Sequence, residues 1–558
     1  MTLGRAPEQA DLWRSSSKYC EGKLSPTSIY SLLHRECHRL FPDDAFADLF
    51  QDIGRRSVPP RIVAVVMVLQ RLEGLSDREA VDRFTFDVRW KYAAGGLDLE
   101  YPSFVHTVLV DTRARLRASM SPDRIFSAVL DVAKKAGLVG RRRVLDSTPL
   151  YDAVATQDTV TMIRSVIRGL LRVVAEPLAT ELRGVLKRDD DYGAAGKPAC
   201  DWDDKVAREA LIDALARDAY AVLAHLDGQP LAADAKEAAA LVATVVGQDL
   251  EQTEDGLFRI ARRVAPDRVI STVDPEARHG HKTSARGFDG YKGHIAIDPD
   301  TEIITSAAVT AANVGDGSVA EELLADVLPA LRLHDQEGAA AAEAPRIGAD
   351  RAPTAAPAGT APVPSGAGEQ VEVYGDASYG TAAVLERLDG AGAVANVKVQ
   401  PPSPPREGLF SKDAFEIDTK AGTVRCPQGV LVTLRRSKDG WGHADFAPHC
   451  ETCPLRSKCT TSKSGRGVEI HPEHDRLQRH RLRQRDAAWK RDYRATRPKV
   501  ERKLAHLMRR RHGGRRARMR GSDRIGQDFI LLCAATNLHR LAQLGLHCID
   551  GKAAVATA

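Results

Sequence analysis

Apolar residues recur at helical spacing through the first part of the chain, between residues 27 and 120. The stretch "PPRIVAVVMVLQRLEG" begins with prolines that suit a first helical turn, and it ends at Gly74. A second helix is predicted directly after it, because Ser76 and Glu79 have the spacing of a capping box. The stretch "SFVHTVLVDTRARLRAS" predicts a third helix with its arginines on one face.

Short helices joined by tight turns are compatible with a helix-turn-helix module that binds DNA. Helical bundles without that function have the same pattern, so the pattern alone does not decide between them. We interpret residues 1–125 as an N-terminal helical DNA-binding domain. Its candidates for contacts with bases are His106, Arg113 and Arg115.

Two short strand patterns each reach an aspartate. In "RRRVLDSTPL" basic residues lead through Val144 and Leu145 to Asp146, which predicts a strand that ends on a carboxylate. In "VEVYGDASYG" the alternation up to Gly375 predicts a strand that gives way to a turn at Asp376. Two interpretations of Asp376 stand at this point. It is either a residue that caps the turn or a carboxylate that binds a metal ion at the edge of a sheet.

The remaining patterns predict a mixed α/β fold. The stretches 288–298 and 302–310 flank "PDT" as the two strands of a hairpin do. A helix over "AAVLERL" and a strand over "AVANVKV" follow Asp376, while helical patterns fill an insertion at 151–264. A mixed α/β sheet with one antiparallel hairpin accounts for this order. Residues 336–370, rich in alanine, proline and glycine, are predicted to be a disordered insertion.

The positive charge of the chain is concentrated in one segment. The net charge is +5 over 558 residues, but residues 474–524 alone carry +15, which leaves −10 for the rest. Such a segment predicts a polyanionic partner, most often nucleic acid, and the alternative is a solvated basic helix. The longest apolar run, residues 62–69, is far too short to span a membrane, and the N-terminus lacks a secretory pattern. We therefore expect a cytoplasmic protein with reduced thiols.

Four of the nine cysteines lie in one segment, residues 420–472. Their spacing is C-x23-C-x2-C-x5-C, and a C-x2-C pair presents two thiolates to one tetrahedral ion. In a reducing compartment this pattern predicts a structural zinc site, with unliganded thiols as the alternative. The predicted ligands are Cys426, Cys450, Cys453 and Cys459.

A third acidic residue, Glu501, lies in the basic segment four residues after Arg497, so an i,i+4 ion pair is its simplest interpretation. Together, however, Asp146, Asp376 and Glu501 resemble the three acids of insertion-sequence transposases with a ribonuclease H-like domain. The stretches that extend this resemblance are "LFPDDAFADLF", "RRSVPPRIVAVVMVLQRLEGLSDREAVDRFTFDVRWKYAAG", "VLDSTPL", "VDPEARHGHKTSARGFDGYKGHIAID", "YGDASYG", "CPLRSKC" and "LCAATNLHRLA".

The resemblance implies phosphodiester cleavage at the ends of a mobile element and transfer of the 3′-hydroxyl ends to target DNA. It implies two Mg²⁺ (or Mn²⁺) ions per active site, held by the three acids. The implied partners are terminal inverted repeats and target DNA, bound by a homodimer at the bacterial nucleoid. The catalytic core falls in 140–150, 265–400 and 474–548. The residues expected to contact DNA are Arg497, Arg509, Arg510, Arg511, Arg515, Arg516, Lys282 and Lys292.

The third-acid motif departs from the family pattern. The family places two residues between its tyrosine and arginine, whereas three separate Tyr493 from Arg497 here. The basic residue expected seven positions after Glu501 is replaced by Met508, and Arg509 follows. Two other functional classes stay open: a metal-dependent nuclease on the same fold without strand transfer, and a zinc-containing DNA-binding regulator.

Overall fold

The structure is a computed structural model. It describes residues 2–5, 15–51, 53–153, 156–188, 192–194, 196–283, 286–328, 370–549 and 552–555. The predicted disordered insertion at 336–370 lies outside the described residues except for Gln370. Among the residues described, no helix is both long and apolar enough to cross a membrane.

Helices account for most of the regular structure. Their bounds are α1 Ser16–Cys20, α2 Ile29–Leu40, α3 Pro60–Glu73, α4 Asp77–Phe86, α5 Val88–Ala93, α6 Thr107–Ala118, α7 Arg124–Lys135, α8 Thr159–Val173, α9 Leu178–Val185, α10 Lys205–Leu226, α11 Ala233–Asp249, α12 Ala320–Leu323, α13 Ala382–Gly390, α14 Ala447–Cys450, α15 Arg456–Cys459, α16 His474–Arg483, α17 Ala487–Thr496, α18 Pro498–Leu507 and α19 Ser522–Gln543.

The strands are mostly short. Their bounds are β1 Arg142–Tyr151, β2 Leu250–Gln252, β3 Phe258–Ile260, β4 Arg278–Thr283, β5 Arg286–Ile297, β6 Ile304–Ala311, β7 Glu372–Gly375, β8 Val394–Val397, β9 Glu416–Asp418, β10 Thr423–Arg425, β11 Leu431–Thr433, β12 Arg435–Arg436, β13 Gly442–Asp445, β14 Gly467–Ile470, β15 Leu546–Ile549 and β16 Lys552–Val555.

The chain divides into two compact units. The first unit contains residues 1–140, 144–319 and 497–558, and the second contains residues 141–143 and 320–496. Helices and both parallel and antiparallel strand pairs occur, so the protein has a mixed α/β fold.

The N-terminal helices of the first unit follow their local sequence signals. Helix α3 starts with Pro60 in its first turn and ends at Gly74, whose φ of 70° is the left-handed conformation that glycine tolerates. The capping box is present at α4, where Ser76 and Glu79 satisfy each other's backbone N–H groups. Both predictions are confirmed.

Helix α19 is the centre of the first unit. It packs against α3, α7 and β6, and its residues Leu532, Cys533 and Leu538 are completely buried. Arg71 of α3 forms a buried ion pair of 3.0 Å with Asp528 of α19. The N-terminal helices are therefore part of the same packed body as the last long helix, not a separately folded arm.

Four strands of the first unit, β1, β4, β5 and β6, pair in antiparallel fashion. Strand β5 pairs with both β1 and β6. Strand β4 pairs with residues 286–290 at the start of β5. The predicted hairpin of β5 and β6 is confirmed, whereas β4 was missed. Strand β1 does not end on Asp146 as expected. It continues to Tyr151, because β5 offers pairing partners over this length, from Ile297 to Gly290.

The helical insertion has its own apolar core, built from α8, α9, α10 and α11. Its central side chains are fully buried, among them Ile163, Leu170, Leu215, Val222 and Val245. This core explains why the long stretch between β1 and β4 keeps a helical pattern. The small hairpin of β2 and β3 closes one end of it, with Phe258 stacked on Tyr220 at 5.0 Å.

In the second unit, β7 and β8 form a parallel pair connected by α13. The predicted strand, helix and strand around Asp376 are thus confirmed. After β6 the described chain forms a 3-10 turn over Asp316–Val319, which lies in the first unit, and then α12.

Candidate active site

Asp146 is held in the middle of β1 in the first unit. It pairs with Ile295 of β5, and the preceding Leu145 is completely buried. Its own side chain is 13% exposed. A carboxylate this deeply placed requires a cation or hydrogen-bond donors beside it.

Arg497 supplies that cation. Its Nη2 lies 2.9 Å from Oδ1 of Asp146, and the arginine side chain is only 7% exposed. Its Nη1 lies 3.4 Å from Oε1 of Glu501, one turn further along α18. One guanidinium therefore joins two of the three predicted acids, and Glu501, at 63% exposure, is the solvent-facing member.

The opposite face of β1 carries a polar cluster that the sequence did not reveal. Ser147 donates a hydrogen bond of 2.6 Å to Asp316, and Lys292 forms a 2.8 Å ion pair with the same carboxylate. His294 lies beside them, fully buried and within 2.9 Å of the Thr310 hydroxyl. Burial lowers the pKa of His294 to about 4, so this imidazole is neutral near pH 7.

Asp376 lies in the second unit, directly after β7. Its Oδ1 accepts a hydrogen bond of 2.9 Å from the backbone N–H of Ser378. This is the contact expected of an aspartate that caps the turn. The Tyr493 hydroxyl donates to the carbonyl of Gly375 at 3.1 Å, and the Tyr493 ring stacks on Trp489 with 4.7 Å between centroids. An aromatic pair thus supports the backbone that precedes Asp376.

The residues expected to contact DNA divide into exposed and internal ones. Lys282, Arg509, Arg510, Arg511 and Arg516 are exposed, and Arg515 is half-buried. Two others differ from expectation. Lys292 forms an ion pair with Asp316, and Arg497 forms one with Asp146, because each cation lies beside a buried carboxylate.

Arg113 is likewise internal. It is 8% exposed and its guanidinium lies 2.5 Å from Asp77. It ties α6 to α4, so it is not available as a base contact.

The four predicted zinc ligands lie in the second unit and line one cavity of about 20 Å³. Cys450 and Cys459 are buried in the apolar core of this segment, with Phe415 and Phe446 around them. Burial raises the pKa of the Cys459 thiol, and charge on Cys450, Cys453 or Cys426 raises it further. The four thiols therefore line one small cavity in an apolar core.

Across the described parts of the chain, no group of three or more histidine, cysteine or acidic side chains is arranged to hold a metal ion. The donor chemistry nevertheless fits: carboxylate oxygens suit Mg²⁺ or Mn²⁺, and thiolates suit Zn²⁺. In the first unit the guanidinium of Arg497 supplies positive charge to Asp146 and Glu501.

Three family models match separate parts of the chain. One described as "Transposase domain (DUF772)" matches residues 25–115, and two described as "Transposase DDE domain" match residues 253–344 and 425–542. No curated protein and no solved structure matched the chain. The matches cover the N-terminal helices, the β4–β6 region, and the stretch from the first cysteine of the cluster through α19.

Proposed function

This chain is a DDE transposase of the insertion-sequence type, and from that premise we propose that Asp146, Asp376 and Glu501 are its catalytic carboxylates on a ribonuclease H-like domain. The observation that carries the proposal is the Arg497 guanidinium, which contacts both Asp146 and Glu501 although the two acids are far apart in sequence. A lone surface glutamate in a basic helix needs no buried partner of this kind.

The protein catalyses cleavage of DNA and transfer of the cleaved ends. Two Mg²⁺ or Mn²⁺ ions, when bound by the acids, would activate the attacking oxygen and stabilise the leaving oxygen. Asp146 would supply an oriented, nearly buried oxygen ligand, and Glu501 an accessible one. When no metal ion is bound, the positive charge of Arg497 offsets the negative charge of these two carboxylates.

Replacement of each acid tests this assignment. We expect Asp146→Asn, Asp376→Asn and Glu501→Gln each to lower cleavage of oligonucleotides that carry the element's ends by at least about 100-fold, with end binding retained. Asp300→Asn is the control, since Asp300 is an exposed acid paired with Lys499. Appreciable Mg²⁺-dependent cleavage by one of the three variants would remove that residue from the site.

The reaction products separate the alternative functions. Joined products with target DNA require strand transfer, which a nuclease on the same fold would not give. A DNA-binding regulator would show no metal-dependent chemistry, and its acids would tolerate replacement. The joining assay therefore decides among the three classes.

The arginines within residues 509–516 are proposed to bind DNA phosphates at the terminal inverted repeats and at the target, with a homodimer holding the two ends. We expect Arg509, Arg510, Arg511, Arg515 and Arg516, replaced together by Gln, to flatten the salt dependence of duplex binding by several units. Binding of all sequences should weaken alike, because phosphate contacts carry no sequence information. A selective loss of preference for the ends would contradict the proposal.

The cysteine cluster is proposed to hold one structural Zn²⁺, bound to protein kept reduced in the cytoplasm. Four cysteines that line one small cavity present sulfur ligands that a divalent cation can hold together. Elemental analysis should find about one zinc per chain, and Cys453→Ser should lower that content while Cys200→Ser, outside the cluster, should not. Metal-free protein whose four thiols all titrate freely would refute the site.

A further inference from the structure

A second basic site lies in the helical insertion, away from the carboxylates. A cleft of about 560 Å³ opens between the start of α10, the first turn of α8 and the segment that follows β3. Five cations and three carboxylates line it. The cleft is therefore a net positive concavity on a domain that the catalytic assignment does not use.

Three of the five cations already form ion pairs with acidic side chains. Lys197 forms a 2.9 Å ion pair with Asp158, and Arg259 lies 2.8 Å from Asp255. Two guanidiniums are different. Within the portion of the chain that the structure describes, neither Arg208 nor Arg262 forms an ion pair with a carboxylate.

An aromatic ring lines the same cleft as these arginines. Trp202 is 37% exposed, and Arg208 donates a hydrogen bond to its backbone carbonyl. The ammonium of Lys197 lies 5.0 Å from the centroid of the Trp202 ring. An exposed indole in the same cleft as two guanidiniums that lack a carboxylate partner among the described residues combines the two groups that bind a nucleic-acid strand, namely a stacking surface and phosphate-binding cations.

We propose that this cleft binds the phosphodiester backbone of a single DNA strand, with phosphates at Arg208 and Arg262 and a base against Trp202. An acidic peptide would use the cations but not the ring. The inference takes its class of ligand from the DNA transposase activity, and it does not depend on which acids are catalytic.

The test uses the full chain without divalent metal, so failure of the carboxylate assignment would leave it unaffected. Binding of a labelled single strand of about 16 nucleotides is measured by anisotropy across a salt series. We expect Arg208→Gln with Arg262→Gln to weaken binding several-fold and to reduce the salt slope by about 1.4. The matched control is Arg172→Gln with Lys236→Gln, two exposed cations of the same insertion, and it should behave as the unmodified protein.

A second variant, Trp202→Phe, is measured by quenching of tryptophan fluorescence on adding the strand. Smaller quenching than in the unmodified protein is expected, and unchanged quenching overturns the proposal. Equal salt slopes for the cleft pair and its control also overturn it. A loss confined to duplex DNA, or displacement of the strand by polyglutamate only when the cleft arginines are intact, would assign the cleft to a different ligand.

Discussion

At the scale of single residues, Arg497 is the buried cation of the candidate active site. Its guanidinium is buried against Asp146 and also contacts Glu501, so a neutral side chain at this position removes the cation 2.9 Å from the Asp146 carboxylate. We predict that Arg497→Gln lowers the free energy of unfolding by about 3 kcal/mol, as measured by urea denaturation. We also predict that Mn²⁺ raises the unfolding midpoint of this variant more than that of the unmodified protein, because a divalent ion can take over the missing charge.

Arg502→Gln is the control on the same helix. Arg502 pairs with Glu302, but its side chain is 63% exposed, and a surface pair of this kind contributes less than about 1 kcal/mol. Equal losses for the two variants, or no difference in their response to Mn²⁺, would show that Arg497 does not compensate the acids.

At the scale of elements, the approach of β5 to α19 is set by one glycine. A Cβ added at Gly293 would meet the Phe529 ring at 2.8 Å, closer than real side chains come. We predict that Gly293→Ala destabilises the protein by about 1–3 kcal/mol, although alanine normally suits a strand better than glycine. Differential scanning calorimetry measures the effect as a lower melting temperature.

An alanine at Gly526, on α19 itself, should change the stability in the opposite direction. Nothing lies within 4 Å of a Cβ placed there, so Gly526→Ala should stabilise the helix by about 0.5–1 kcal/mol. Phe529→Leu should reduce the penalty of Gly293→Ala in a double-mutant cycle. If the two substitutions show no coupling, β5 and α19 can move apart to admit the alanine at no cost in free energy, which would contradict the prediction.

The elements that could be predicted from the sequence are those whose cause is local. Ser76 and Glu79 carry a cap within four residues, and the β5–β6 hairpin needs only its short turn. The contact between Arg497 and Asp146 joins distant parts of the chain, so only the resemblance suggested that the acids belong together. Nothing in the sequence near Lys292 indicates that Asp316 neutralises it, because that depends on where the chain returns after β6.

At the scale of the whole molecule, the first unit contains a pH-sensitive junction. His512 is 1% exposed, its Nδ1 lies against the Leu72 carbonyl, and its own carbonyl accepts a hydrogen bond from Arg71. Burial lowers its pKa to about 4. As pH falls, the imidazole of His512 takes up a proton in the unfolded chain before it does so in the folded protein. The contribution of neutral His512 to stability is therefore complete above about pH 6.5 and is lost as pH falls toward 4.

We predict that the free energy of unfolding falls by about 3 kcal/mol through His512 over that window. Urea denaturation from about pH 7 to about pH 4.5 should show a shallower decline for His512→Asn, which cannot take up a proton. His281→Asn, at an exposed position on β4, should follow the unmodified protein. Parallel curves for all three proteins would contradict a neutral buried His512.

The division of the chain into units also fixes an order of events during synthesis. The first unit is interrupted after residue 319 and resumes at residue 497, so about 180 residues are translated in between. At ribosomal speeds this takes on the order of ten to forty seconds, during which α2 and α3 have no α19 to pack against. A nascent chain therefore exposes apolar helix faces to chaperones and proteases until its last helices emerge. A ribosome that stalls before Arg497 releases a product without Glu501, which cannot complete its core and is a substrate for degradation.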